Sequence, residues 1–305
     1  MNSLNYPAMK ESQPIGPAER MRVAVERALS DKERVKQISS QRNTIKSVVE
    51  SAKFPKRKLK PGFVKTGVPG LDVLLVDGIP KGASVLVTGS HGAGKTILAL
   101  QTAYTSARAG EKVLYLTFEE SEQKLIKQMN EFGWKTDDLI DKGLLLIRRV
   151  MPEEVKRSVD AMAARSRGEL LIDVPPLFLP DNFSADKLIV DSLTAIAATF
   201  AGTEELFNTY VEQLFMFLER LPSTSLLITV TEIMPVKKYS PAMAEELLAD
   251  GIIVLYNLKK GNIRESAIEV LNMHLAEHKK KIVAMKITGH GIDIYPDQEV
   301  FWEVN

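Results

Sequence analysis

With 305 residues and 45% hydrophobic content, the chain is long enough for a sizeable α/β domain carrying an appendage. The lack of cysteine excludes a disulfide framework, a thiol nucleophile and a thiolate metal site, and it fits a cytosolic setting. The formal net charge of +1 conceals an asymmetry: residues 1–60 carry 14 Lys/Arg against 6 Asp/Glu, whereas the remainder carries 26 against 33.

Residues 1–17 place Pro7, Pro14 and Pro17 among polar residues and read as disordered. From Ala18 to about Ala52 there is neither Pro nor Gly, and Met21, Val25, Leu29, Val35, Ile38, Ile45 and Val48 fall roughly on one stripe. One or two amphipathic helices are expected there. "KFPKRKLKPG" (53–62) follows as a basic linker. The chain thus divides into a basic, partly disordered and helical extension, 1–61, and a domain, 62–305. The extension suits nucleic acid, an anionic surface or the acidic body of its own or a neighbouring subunit; it also suits a solvated tail. No apolar run approaches the ~20 residues that span a bilayer. The first twenty residues lack the apolar core of a secretory signal, so a cytoplasmic protein is expected.

After residue 62 the pattern becomes strand–helix alternation. "SVLVTG" (84–89) precedes the helical "TILALQTAYTSARAG"; "KVLYLTF" (112–118) precedes "SEQKLIKQMNEFGW"; "GLLLIRRV" (143–150) precedes "PEEVKRSVDAMAARSR". "DKLIVDS" (186–192) and "SLLITVT" (225–231) are further strands, separated by the helical "TEELFNTYVEQLFMFLERL". Such spacing implies right-handed crossovers and a mainly parallel twisted sheet flanked by helices. "GIIVLYNL", "ESAIEVLN" and "KKIVAMKIT" have short connections and read as antiparallel strands at the C-terminal edge. The apolar, proline-containing "ELLIDVPPLFLPDNFSA" (169–185) either covers the core or offers a patch to a protein partner.

Residues Gly89, Ser90, His91, Gly92, Ala93, Gly94, Lys95 and Thr96 match G-x-x-x-x-G-K-[ST], between a strand and a helix. Glycines let the backbone curl so that successive N–H groups face one anion, and the helix N-terminus adds partial positive charge. Lys95 is placed to reach the β- and γ-phosphates of a nucleotide, and the Thr96 hydroxyl to coordinate Mg²⁺. His91 occupies a variable position of the loop. Asp191 ends the apolar strand "KLIVDS", where a carboxylate meets Mg²⁺ or its waters beside the phosphates; alone, such an Asp also suits a cap or turn.

"LYLTFEES" ends a strand in two adjacent carboxylates, Glu119 and Glu120. Ligands of an open parallel sheet bind at the carboxyl ends of its strands. A glutamate there can orient or deprotonate an attacking water, and a neighbouring carboxylate raises proton affinity, which suits a base. Alternatively, Glu119 caps the next helix while Glu120 and Glu122 favour its N-terminal dipole.

Together these residues resemble the KaiC-like branch of the RecA superfamily of P-loop ATPases. The likeness runs through "VKTGVPGLDVLLVDGIPKGASVLVTGSHGAGKTILALQ" (64–101), "VLYLTFEES", "KLIVDSLTAI" (187–196), "ITVTEI" (228–233) and "LADGIIVL" (248–255). The resemblance implies a RecA-like core with ATP and Mg²⁺ held between the subunits of a homo-oligomer, often a hexamer, and slow hydrolysis. It assigns the chemistry to Lys95, Thr96, Asp191 and the Glu119/Glu120 pair. Two features depart from the family. Val76-Asp77-Gly78 replaces its double glycine, and Asn272 and His274 occupy the positions where it offers Lys-x-Arg to a neighbour's γ-phosphate. Arg264 and Lys279–Lys281 are the candidates to replace that cation. Two further readings follow: a nucleotide-binding regulatory module with little hydrolysis, and a RecA-like DNA-binding or recombination protein that uses the basic extension.

Overall fold

The computed structural model describes residues 62–166, 179–180, 184–201, 204–231, 246, 248–260 and 263–300. The extension expected over 1–61 and most of the proline-containing 169–185 segment lie outside them.

The two-residue strands β1 (Phe63–Val64) and β2 (Ile79–Pro80) pair antiparallel and bracket the short helix α1 (Pro69–Leu74). β3 (Ser84–Gly89), α2 (Lys95–Arg108), β4 (Val113–Thr117), α3 (Glu122–Glu131), α4 (Asp137–Asp141), β5 (Leu145–Arg149) and α5 (Pro152–Ser166) follow. Next come β6 (Lys187–Asp191), α6 (Leu193–Ala198), α7 (Glu204–Leu218) and β7 (Thr224–Ile228). β8 (Gly251–Lys260), β9 (Ile263–Met273), β10 (Val283–Thr288) and β11 (Gly291–Glu299) complete the described elements.

The main sheet has the order β11-β10-β9-β8-β3-β7-β6-β4-β5. Every pairing from β5 across to β8 is parallel, and those among β8, β9, β10 and β11 are antiparallel. This is the expected parallel sheet with an antiparallel C-terminal edge. Successive strand residues alternate between two apolar layers, as a two-residue period requires. Val85, Val87, Tyr115, Ile189, Leu226 and Ile228 join one core with α1, α2, α3 and α4. Leu86, Leu114, Leu116, Leu188, Val190 and Leu227 join the other with α5, α6 and α7. Both faces are covered, which is why the central strands read as continuous apolar runs.

Three short helices, α1, α4 and α6, were not legible as helices, because five or six residues are too few to display a 3.6-residue period. Strand β11 was also missed: it carries Asp293, Pro296 and Asp297, residues depleted from strands, and it is tolerated as an edge. Val76 in the departing loop adopts φ 52°, the left-handed region that favours glycine, so valine there stores backbone strain.

One buried side chain fixes the C-terminal edge to the centre. Gln101 of α2 donates from Nε2 to Ile292 O (3.2 Å) and accepts from Ile292 N at Oε1 (2.7 Å). Trp134 Nε1 donates to His290 O (3.2 Å) beside it. The hairpin formed by β10 and β11 is thereby held against the helix that opens at Lys95.

Candidate active site

The loop between β3 and α2 curls because its glycines permit it. Gly94, the N-cap of α2, has φ 98°, in the left-handed region. Gly89 meets a different limit: a Cβ there would lie 2.1 Å from Leu255 O of the adjacent β8. Lys95 begins α2, is buried, and donates from Nζ to Gly89 O (2.8 Å) and Ser90 O (2.7 Å). These acceptors use two of the three ammonium donors. Burial lowers the Lys95 pKa from its ordinary value, against the opposing pull of the Asp191 and Glu119 carboxylates.

β6 ends beside this loop because it pairs with β7, which pairs with β3. Its last residue, Asp191, is buried and accepts a hydrogen bond from Tyr115 Oη at Oδ2 (2.6 Å) and another from the Thr96 hydroxyl. Burial raises the Asp191 pKa; the bonds from Tyr115 and Thr96 and the Lys95 charge oppose the rise, and Glu119 adds to it. Tyr115, itself fully buried, is pushed well above its ordinary value, first by burial and then by the Asp191 charge and hydrogen bond. The Asp191–Ser192 peptide is cis.

The two glutamates after β4 separate. Glu119 Oε1 accepts from Ser192 Oγ (2.5 Å) and lines the pocket shared by Lys95 and Asp191. Glu120 is held in an i, i+4 ion pair with Lys124 (2.5 Å), and its amide donates to Thr117 Oγ1 (3.1 Å). The cap of α3 is Ser121, whose side chain accepts from Lys124 N, so neither glutamate serves as that cap. Glu122 Oε1 accepts from Arg149 N (3.0 Å) at the end of β5.

The pocket has a volume of about 230 Å³ and gathers His91, Gly92, Gly94, Lys95, Thr96, Glu119, Asp191 and Ser192. Ile228, Val230 and Ile287 supply apolar walls. Hence residues from the loop, the end of β4 and the end of β6 meet in one cavity. Sequence reasoning missed Ser192, Tyr115 and Ile287. The first follows Asp191 directly and caps α6, accepting from Ala195 N, which was a readable signal. Nothing local marked Tyr115 or Ile287.

A hydroxyl and a carboxylate side by side, Thr96 and Asp191, are hard oxygen donors of the kind that suit Mg²⁺. A buried ammonium whose partners are its own loop carbonyls suits exchange to phosphate oxygens. The residues present therefore fit a nucleotide phosphate chain with its divalent cation.

Asn272 and His274 stand elsewhere. Gly89 pairs with Leu255 of β8, whereas Met273 pairs with Gly251 at the start of β8. The two residues consequently lie at the opposite end of the sheet from this chain's own phosphate loop. Arg264 is exposed at the far end of β9, and Lys281 is paired with Glu299.

Among the described residues no helix is long and apolar enough to cross a membrane. The family profile described as "ATPase: KaiC" matches residues 64–299. The circadian clock oscillator protein KaiC of Picosynechococcus sp. is 30% identical over 240 residues, covering 76% of this chain and 44% of that protein. Its counterpart from Acaryochloris marina is 29% identical over 256 residues, covering 80% and 46%. The chain thus spans under half the length of these relatives. Among solved structures, a KaiC-like protein from the hyperthermophile Pyrococcus horikoshii matches with TM-score 0.62 and 27% identity, over 78% of this chain and 100% of that one. Together with the strand order and the phosphate loop, these matches establish that the chain belongs to the KaiC-like branch of the RecA-superfamily ATPases, as a RecA-like ATP-binding protein.

Proposed function

We propose that the chain binds ATP with Mg²⁺, hydrolyses it slowly to ADP and phosphate, and works as a homo-oligomeric switch. The observation that carries this reading is the convergence of Lys95, Thr96, Glu119 and Asp191 from three separate segments on one pocket. In it, Gly89–Thr96 cradle the phosphates, and Lys95 exchanges its carbonyl partners for the β- and γ-oxygens. Thr96 and Asp191 hold the cation. When bound, Mg²⁺ neutralises charge on the transferring phosphoryl group. Glu119, fixed by Ser192, orients the attacking water and takes its proton. The family resemblance assigns chemistry to Glu120 as well, whose side chain is paired with Lys124.

The family resemblance supports ATP at subunit interfaces, in a hexamer. The position of Asn272 and His274 at the far end of the sheet fits residues that face a neighbouring subunit. We take residues 62–305 as the ATPase domain and 1–61 as an appended extension, in a cytoplasmic protein. Asn272 and His274 favour one alternative, a regulatory module that hydrolyses little, because loss of a trans cation can cost ~10³-fold in phosphoryl transfer. The 14 basic residues among the first 60 favour another, nucleic-acid binding.

Phosphate release measured beside solution mass, with and without ATP and Mg²⁺, tests the proposal. Turnover and ATP-dependent assembly are expected, with turnover falling ~10²–10⁴-fold in Glu119→Gln. Release no faster than that of Lys95→Ala, at every protein concentration, would leave the regulatory reading in its place.

A further inference from the structure

β4 and β6 run parallel in register, with Thr117 opposite Asp191 and Tyr115 opposite Ile189. Strand alternation puts Tyr115 and Thr117 on the same face as Ile189 and Asp191, the face covered by α2. Tyr115 therefore starts two residues below the end of the strand pair, roughly 6.6 Å at the usual rise. A phenol spans that distance, and its hydroxyl meets Asp191 Oδ2 at 2.6 Å. The ring is buried in the α2-facing core, where phenylalanine would fill the same space without needing a polar partner. The hydroxyl is thus the one part of this side chain that core packing does not explain.

Its target has two oxygens. Oδ2 accepts from the phenol and the carboxylate also accepts from the Thr96 hydroxyl, which leaves acceptor capacity for a cation or its waters. A tyrosine hydroxyl has a single proton, and here it is given to the carboxylate.

We infer that Tyr115 is a positioning residue for the divalent cation: its hydroxyl, at Asp191 Oδ2, fixes the carboxylate so that Asp191 and Thr96 face the metal together. This rests on the reading of Asp191 as a Mg²⁺-binding residue. Groups that orient metal ligands from behind typically contribute 10- to 100-fold to metal affinity.

The test uses the full chain and a fluorescent ATP analogue, titrated once in EDTA and once in Mg²⁺. The ratio of the two dissociation constants isolates the cation's contribution from that of the phosphate loop. In Tyr115→Phe that ratio is expected to fall about tenfold or more, with the EDTA constant unchanged and half-saturation by Mg²⁺ moved upward. Tyr115→Met, also without a hydroxyl, is expected to do the same. An unchanged ratio in Tyr115→Phe overturns the inference. So does loss of folding or of EDTA-state affinity in both variants, which would make Tyr115 a packing residue. Asp191→Asn separates the two levels. If it retains the Mg²⁺ gain, the site reading itself fails. If it loses the gain while Tyr115→Phe keeps it, only the role of Tyr115 fails.

Discussion

Strand β6, Lys-Leu-Ile-Val-Asp, buries an ionisable group at each end, and the two ends treat their charge differently. At its start, Lys187 Nζ donates to Ser106 Oγ (2.5 Å) and Lys65 O (3.0 Å) and pairs with Glu111 Oε2 (3.2 Å). That ammonium has three acceptors for three hydrogens, and a full countercharge. At the other end, the side-chain partners of Asp191 described above are hydroxyls, which stabilise a carboxylate without neutralising it. Lys187 ties β6, α2 and the entry to α1 into one body. Asp191 keeps a carboxylate held by hydroxyls beside a cavity, attracted by the Lys95 ammonium and repelled by Glu119, as a cation site requires.

The sharpest way to break this contrast is to remove each charge in turn. Asp191→Asn is expected to lower phosphate release ~10²-fold or more, since it deletes a group aimed at the reacting phosphates. Thermal unfolding in EDTA should nevertheless match wild type to within about 1 kcal/mol, because a buried charge is exchanged for an amide that still accepts from Tyr115. Lys187→Met should show the reverse. It strands Lys65 O and Ser106 Oγ, for a loss of ~1–3 kcal/mol in urea unfolding, while the folded fraction binds nucleotide with wild-type affinity.

The pH dependence of that loss is a smaller effect with a defined sign. Burial depresses the Lys187 pKa more than the Glu111 charge restores it. Between the depressed folded value and 10.5, the unfolded chain holds the proton that the folded chain has released. Wild-type stability therefore gains from this residue as pH rises through that window, so the gap to Lys187→Met widens towards pH 10.5. The smallest effect belongs to Glu120→Gln. Its ion pair with Lys124 is exposed, so stability should change by no more than about 0.5 kcal/mol, and turnover should drop far less than in Glu119→Gln.

Much of the site was legible because its signals are local. The run Gly89–Thr96 carries both its glycines and its Lys-Thr pair within eight residues, and Asp191 ends an unbroken apolar strand. The order of the strands was not legible, since register is set by long-range pairing such as Val87 with Ile228 and with Ile253. Nor did the chain announce which glutamate faces the pocket. Glu119 and Glu120 are neighbours of one type, and they part only because Ser192 and Lys124 lie on different sides. Tyr115 looked like an ordinary strand aromatic; its partner is 76 residues away.

The clamp at Gln101 has a consequence for the order in which the protein becomes competent. Ile292 follows Gln101 by 191 residues, and Ile287, on the same hairpin, walls the phosphate pocket. During synthesis the loop, its lysine and both carboxylates emerge long before that wall does. A nascent chain therefore carries every reactive group yet lacks a finished cavity, and a ribosome paused within β9 would present an open cradle. Completion of the hairpin thus adds the Ile287 wall to a pocket whose other lining residues, up to Val230, have already been made.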